Sequence, residues 1–229
     1  MQPEMYTGPV IQGRRTAVSL NRFMMKVYGL LSFMFLASGI GAMWGMNQGL
    51  SVVGLHPILL AIAMFGTLFL LMAVQKVPGV NLIVTTFFAT LMGASLGPML
   101  FALLRTANGG AILSDALFLT MAIFFSLSIY AIVSGKSFSF MGSFLFTGLI
   151  IVVVLSIVQI FFHPPLFQAV LSGVASLLFS GLILYDTSRI LESSEDELSP
   201  VMAVVSLYLD VFNLFVSLLR LLEIFKGED

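Results

Sequence analysis

Charge is scarce in this sequence, and cysteine is absent. Only 9% of the 229 residues are Asp, Glu, Lys or Arg, and the formal net charge is −1. Soluble domains carry about 25% charged residues. The lack of cysteine excludes disulfides, thiolate metal sites and thiol catalysis. No basic run suited to nucleic acid is present, so we expect no nucleic-acid partner and no resident cofactor.

Apolar residues are present in large excess. They make up 59% of the chain, and the mean hydropathy is +1.08. This composition is typical of a polytopic membrane protein, whose main partner is the lipid bilayer. The longest polar piece is the N-terminal segment, which contains two prolines and two glycines before Arg14. We predict a flexible cytoplasmic tail over residues 1–22 and a single transmembrane domain over residues 23–229.

Seven apolar runs are each long enough to cross a bilayer, which needs about 20 residues. They cover residues 23–46, 56–74, 80–104, 112–133, 140–162, 166–190 and 201–225. Clusters of proline and glycine or polar loops separate them. We therefore expect an all-α fold with seven transmembrane helices. The last run contains several polar and charged residues, so six helices plus a re-entrant segment is the alternative.

Basic residues near the ends of the runs predict the orientation. Seven of them fall on one side of the membrane: Arg14, Arg15, Arg22, Lys26, Lys76, Lys136 and Arg189. The opposite side has Arg105 and Lys226. The excess of positive charge marks the cytoplasmic side. The N-terminus is therefore predicted to be cytoplasmic, and an odd number of helices places the C-terminus on the other side.

Two aspartates, Asp186 and Asp210, lie inside the last two apolar runs. An acid at the bilayer centre costs about 2.5–3.5 kcal/mol on insertion scales, so such residues face a bundle interior and commonly mark a proton or ion site. Both lie in the cytoplasmic half of their helices, where contact would make them share a proton. Such a pair would act as a switch that responds to pH or to a cation. The alternative for Asp186 is an ion pair with Arg189 on its own helix.

The last run carries a polar stripe. Ser206, Asp210, Asn213, Ser217 and Arg220 recur at spacings of four, three, four and three residues, which places them on one face of a helix. In lipid, this face must turn toward protein or water. For the serines alone, helix packing by small polar residues is the simpler explanation. We treat Ser206, Asn213 and Ser217 as candidate pathway residues.

Two long segments carry a resemblance to a known family. LILYDTSRIL at 182–191 and PVMAVVSLYLDVFNLFVSLLRLL at 200–222 resemble the end of the Bax inhibitor-1 (transmembrane Bax inhibitor motif) family, especially its bacterial members. GASLGP at 93–98 and SFSFMGSF at 137–144 are similar more loosely. The resemblance implies six helices around a central seventh, in the inner or plasma membrane of a bacterium.

The resemblance also implies a function. Asp186 and Asp210 match the proton-sharing aspartate pair of the family, which is linked to a pH-dependent calcium leak. Calcium would be the permeant ion, bound transiently by the two carboxylates. Bacterial relatives can carry an arginine late in helix 2 that pairs with the helix-6 acid, whereas this chain has Gln75 or Lys76 there. Lys76 and Arg189 are therefore the candidate latch residues.

Other functions are also compatible with the sequence. Some bacterial relatives act as non-transporting regulators of an ATP-dependent membrane protease, and that interaction role is the main alternative. An intramembrane aspartyl protease would use Tyr185 and Asp186, but LYLD at 207–210 lacks the glycines of a GxGD motif. We therefore expect that the protein is not an enzyme. A proton-driven transporter is a further alternative, although no internal repeat is evident.

Overall fold

The computed structural model describes residues 17–47, 57–159, 161, 164–193 and 199–227. These residues form seven α-helices and one short 3-10 helix, and they contain no strand. The α-helices are α1 (Ala17–Asn47), α2 (Pro57–Val74), α3 (Val80–Leu103), α4 (Gly109–Ser134), α5 (Gly142–Gln159), α6 (Pro165–Glu192) and α7 (Pro200–Lys226). Six of them are long and apolar enough to span a membrane, and α2 is shorter. The predicted all-α, polytopic fold is confirmed.

The helix ends differ from the apolar runs by a few residues. Helix α1 begins at Ala17, inside the segment predicted as a tail, and the remainder of that tail lies outside the described residues. The 3-10 helix Ser139–Met141 precedes α5, which then begins at Gly142. Hydropathy marks the part of a helix that lipid surrounds, whereas helical hydrogen bonding continues into the polar interface. Helix α7 is continuous from Pro200 to Lys226, which does not support the re-entrant alternative.

Helix α7 is the core of the bundle. In its membrane-spanning window 67% of the residues are buried, against 11–44% in the other five long helices. Helices α1, α3, α4 and α6 pack directly on α7, while α2 packs on α3 and α5 packs on α6. The helix with the polar stripe is therefore the one that protein encloses most completely, as the cost of exposing polar groups to lipid requires.

Helices α1 and α3 approach each other closely through glycines. A Cβ added to Gly93 of α3 would lie 1.9 Å from the carbonyl oxygen of Ser38 in α1, and one added to Gly97 would lie 2.3 Å from the carbonyl carbon of Gly45. The partner positions increase together along both helices, so α1 and α3 run parallel. Small residues allow this backbone contact, which replaces hydrophobic burial as a source of stability between membrane helices.

Contacts between helix ends define two faces of the bundle. At the first face, the Ser199 hydroxyl at the start of α7 donates to the Gln75 side chain just after α2, and the Phe138 N–H donates to Ser188 of α6. At the second face, Lys226 at the end of α7 pairs with Asp115 near the start of α4 at 2.6 Å.

Candidate functional site: an aspartate pair between α6 and α7

The structure brings Asp186 of α6 and Asp210 of α7 together. Their side chains are 9% and 7% exposed, and their carboxyl groups lie close enough to interact directly with each other. At 1.5 Å per residue, Asp186 lies about 9 Å from the end of α6 and Asp210 about 15 Å from the start of α7. Both positions are on the first-face half of the bundle, and the antiparallel packing of the two helices lets them meet.

A direct hydrogen bond between the two carboxyl groups would require a proton. An ionised carboxylate accepts hydrogen bonds and has no hydrogen to donate. Two carboxyl groups that bond to each other must therefore carry at least one proton between them. Among the described residues, no Lys, Arg or His lies within 4.0 Å of either group. A shared proton would take the place of a basic partner, because it would remove the repulsion between the two acids.

One carboxyl oxygen of the pair has no hydrogen-bond partner among the described residues. The Oδ2 atom of Asp210 is buried and has no hydrogen-bond partner in the part of the chain that the structure describes. A buried polar atom without a partner is costly, and such atoms are uncommon in proteins. A pair with an unused acceptor can receive a proton, a water molecule or a cation without first breaking another bond.

Two neighbours modulate Asp186. Ser206, one helical turn before Asp210 on α7, lies close enough to interact with the Asp186 carboxyl group. Arg189 interacts with Asp186 electrostatically along α6, but the two do not form an ion pair within 4.0 Å. Asp186 therefore lies beside Asp210 and in the electrostatic field of Arg189, but without the ion pair that the alternative interpretation expected.

The two candidate latch residues behave differently from each other. Lys76 is exposed beyond the end of α2, and among the described residues it makes no ion pair with Asp186. Its neighbour Gln75 accepts a hydrogen bond of 2.9 Å from Ser199, the residue that caps the start of α7. Of the two candidates, Arg189 is the one whose charge acts on Asp186. The position after α2 instead holds the first turn of α7 in place.

The polar stripe of α7 divides into two parts. Ser206 and Asp210 face Asp186 on α6, whereas Asn213 and Ser217 line a cavity farther toward the second face. The Asn213 amide donates to the Leu209 carbonyl, and the Ser217 hydroxyl donates to the Asn213 carbonyl, each at 2.7 Å. These bonds run along α7, so Asn213 and Ser217 do not hold the pair directly.

Sequence reasoning missed the role of Tyr208. This residue is fully buried, and its ring packs against Phe35, Phe88 and Phe212. Its hydroxyl hydrogen-bonds to Ser38 of α1, and the Ser38 hydroxyl donates to a backbone carbonyl of α3. Since Ser38 has one hydrogen to donate, Tyr208 is the donor to Ser38. A tyrosine within a buried helix needs such a partner, which was the signal available in the sequence.

The site offers few ligands to a metal ion. Among the described residues, no third His, Cys, Asp or Glu joins Asp186 and Asp210 in a cluster. Calcium usually takes six to eight oxygen ligands. The two carboxyl groups and the Ser206 hydroxyl are hard oxygen donors that suit calcium, but they are too few for a closed cage. They fit an ion that keeps much of its water and binds briefly.

Comparison with known proteins agrees with this architecture. Residues 20–227 match the family described as "Inhibitor of apoptosis-promoting Bax1". The chain belongs to the Bax inhibitor-1 family. The match covers all seven helices apart from the first residues of α1, so the family assignment applies to the whole bundle and to both aspartates.

Relatives of this Bax inhibitor-1 family protein occur in bacteria and plants. A Vibrio cholerae membrane protein is 40% identical over 91% of this chain and 92% of its own length. A "BI1-like protein" of Arabidopsis thaliana is 37% identical over 88% of this chain and 80% of its own length. The "Modulator of FtsH protease YccA" of Escherichia coli is 33% identical over 91% of this chain and 93% of its own length. The similarity therefore extends over nearly the full length in each case.

Proposed function

We propose that this Bax inhibitor-1 family protein is a pH-sensitive calcium leak channel gated by Asp186 and Asp210. The observation that carries the proposal is the direct contact between two buried carboxyl groups that have no basic residue within 4.0 Å in the described part of the chain. This arrangement joins α6 to α7 only while at least one proton is bound. It therefore links helix packing to pH.

Loss of the shared proton would open the site. Two ionised carboxylates in a poorly solvated position repel each other strongly, and the hydrogen bond between them disappears. The same two charges attract a divalent cation with a preference for oxygen ligands. Ser206 and Arg189 are the other polar and charged groups that act on Asp186, and Arg189 offsets part of its charge. Calcium flux should therefore rise as pH rises and the pair ionises.

The proposal includes an orientation and the absence of catalysis. The basic residues Lys76, Lys136 and Arg189 lie at the first face, so we assign that face to the cytoplasm of a bacterium. The aspartate pair then responds to cytoplasmic pH. Neither aspartate lines the two large cavities described below, and LYLD at 207–210 lacks the glycines of an aspartyl-protease motif. Both points support a non-enzymatic role.

Calcium flux into proteoliposomes, measured between about pH 5.5 and about pH 8, tests the proposal. One titrating proton changes the ionised fraction by up to about tenfold per pH unit, so a flux that depends on ionisation of the pair should change clearly over this range. Asp210→Asn and Asp186→Asn each keep the side-chain size and remove the titrating group. Either change should flatten the pH dependence, and the double variant should add little, since the two acids titrate as a unit. Asp115→Asn is the matched control, because this acid is exposed at the second face.

Three results would contradict the proposal. A pH response that persists unchanged in both single variants would show that the pair is structural. Flux that rises as pH falls would contradict closure by the shared proton. Loss of the pH response in Asp115→Asn as well would show that the effect is not specific to the buried pair.

A second candidate function is modulation of a membrane-bound, ATP-dependent protease without transport. The observation in its favour is the similarity to the Escherichia coli relative, which is named a modulator of FtsH protease. Reconstitution of this chain with a purified protease of that class tests it directly. A change in the rate of proteolysis, together with no calcium flux at any pH, would favour the modulator. Flux without any effect on proteolysis would favour the channel.

A further inference from the structure

A cavity whose wall includes several polar side chains opens at the second face of the bundle, away from the aspartate pair. It has a volume of about 840 Å³, and its walls include Thr106, Gln159, Ser172, Arg220 and Glu223. Ends of α3, α4, α5, α6 and α7 all contribute to it. A membrane protein of this composition places few polar groups within its spans, so a cavity that gathers several of them is conspicuous.

A second cavity continues inward from the first. Its volume is about 380 Å³, it lies between α5, α6 and α7, and it shares Gln159, Ser172 and Arg220 with the outer cavity. Ser217 and Asn213 extend its wall along α7. Asn213 lies three residues from Asp210, or about 4.5 Å along the helix axis. The two cavities together therefore reach from the second face to within one helical turn of the pair.

Arg220 indicates that the space contains water. This residue lies six residues before the end of α7 and is exposed. Glu223 is three residues farther along the same helix, yet the structure shows no ion pair between the two within 4.0 Å. An arginine inside a membrane span is costly unless it pairs with an acid or faces water.

We propose that this space is a water-filled vestibule leading to the aspartate pair, and that Arg220 within it limits the passage of cations. The unpartnered Oδ2 atom of Asp210 then lies beyond the inner end of the vestibule. The vestibule itself does not depend on the channel function. The action of Arg220 on cations does rest on the function proposed above.

Thiol labelling tests the vestibule, and the chain suits it because it contains no native cysteine. Ser172 and Ser176 lie one turn apart on α6 and are 7% and 8% exposed, but Ser172 lines both cavities and Ser176 lines neither. A charged, membrane-impermeant methanethiosulfonate reagent should modify Ser172→Cys at least about tenfold faster than Ser176→Cys. Ser217→Cys should react like Ser172→Cys. Equal rates at both α6 positions, or no reaction at Ser172→Cys and Ser217→Cys, would overturn the vestibule.

Calcium flux tests the action of Arg220. Arg220→Gln should raise the flux about fivefold at low ionic strength and by less in high salt, because a charge in a hydrated space is screened. Arg220→Lys keeps the charge and should leave the flux near that of the wild type. Arg105→Gln is the control for a cation elsewhere on the chain, because Arg105 stacks on the Phe101 ring at 4.2 Å and does not line either cavity.

These outcomes distinguish the inference from the proposed function. If Arg220→Gln and Arg105→Gln change the flux equally, or not at all, Arg220 does not limit cation passage. If no variant conducts at any pH, the channel function and the role of Arg220 are both wrong. The labelling rates would still decide the vestibule in that case, because they require no transport.

Discussion

The close contact between α1 and α3 predicts that Gly93→Ala destabilises the protein. The Cβ of the alanine would lie 1.9 Å from the Ser38 carbonyl oxygen, 2.6 Å from its carbonyl carbon and 2.7 Å from its Cα. Real Cβ contacts below 3.0 Å are essentially never seen. These neighbours are backbone atoms, so a side-chain rotation cannot relieve the overlap, and the two helices must separate by about 1 Å, the difference between 1.9 Å and 3.0 Å.

The cost of this separation can be estimated. Overpacking of a tight interior costs about 1–3 kcal/mol. The shift also moves Ser38 away from its partners Ala89 and Tyr208, and a weakened hydrogen bond adds about 0.5–1.5 kcal/mol. Replacement of a helical glycine by alanine returns about 0.5–1 kcal/mol. The net loss should be about 0.5–4 kcal/mol, which lowers the melting temperature by about 1–16 °C for a chain of this size.

Thermal unfolding of purified protein in detergent measures the effect. Gly39→Ala is the matched control, because Gly39 lies in α1 and an added Cβ there meets nothing within 4 Å. The control should melt at or slightly above the temperature of the wild type, since it gains helix propensity without a clash. If Gly93→Ala melts within about 2 °C of Gly39→Ala, the two helices do not touch as described and the reasoning is refuted.

Two further predictions concern other contacts of α7. Tyr208→Phe removes the hydroxyl that donates to Ser38 but keeps the ring contacts. It should cost about 1 kcal/mol and lower the melting temperature by about 2–4 °C in the same assay. An unchanged melting temperature would contradict the buried hydrogen bond. Asp115→Asn breaks the ion pair with Lys226. Because the Asp115 and Lys226 side chains are 46% and 50% exposed, the change should alter stability by less than about 1 kcal/mol. A larger loss would show that this contact holds the second face together.

The helices and the unusual acids could be predicted from the sequence because both depend on local properties. An apolar run of about 20 residues predicts a span wherever its neighbours lie. All seven runs form helices, and six of these helices are long and apolar enough to span a membrane. Asp186 and Asp210 were notable because a carboxyl group within an apolar helix is costly in any membrane fold. The spacing of the α7 stripe predicted one polar face in the same way. None of these inferences required knowledge of which helices touch.

Other features depended on which helix faces meet. The sequence left both Lys76 and Arg189 as partners of Asp186, and the packing of α6 favours Arg189. The α7 stripe is continuous in sequence, but α6 covers its first half while a cavity covers its second half.

Tyr208 and Gly93 are similar cases. Tyr208 acquires its role from Ser38, which lies 170 positions earlier in the chain. Gly93 acquires its role from the α1 backbone. Hydropathy reports the transfer of each residue from water to lipid, whereas contacts between membrane helices depend on the fit of particular small and polar side chains. That fit exists only once the helices have assembled.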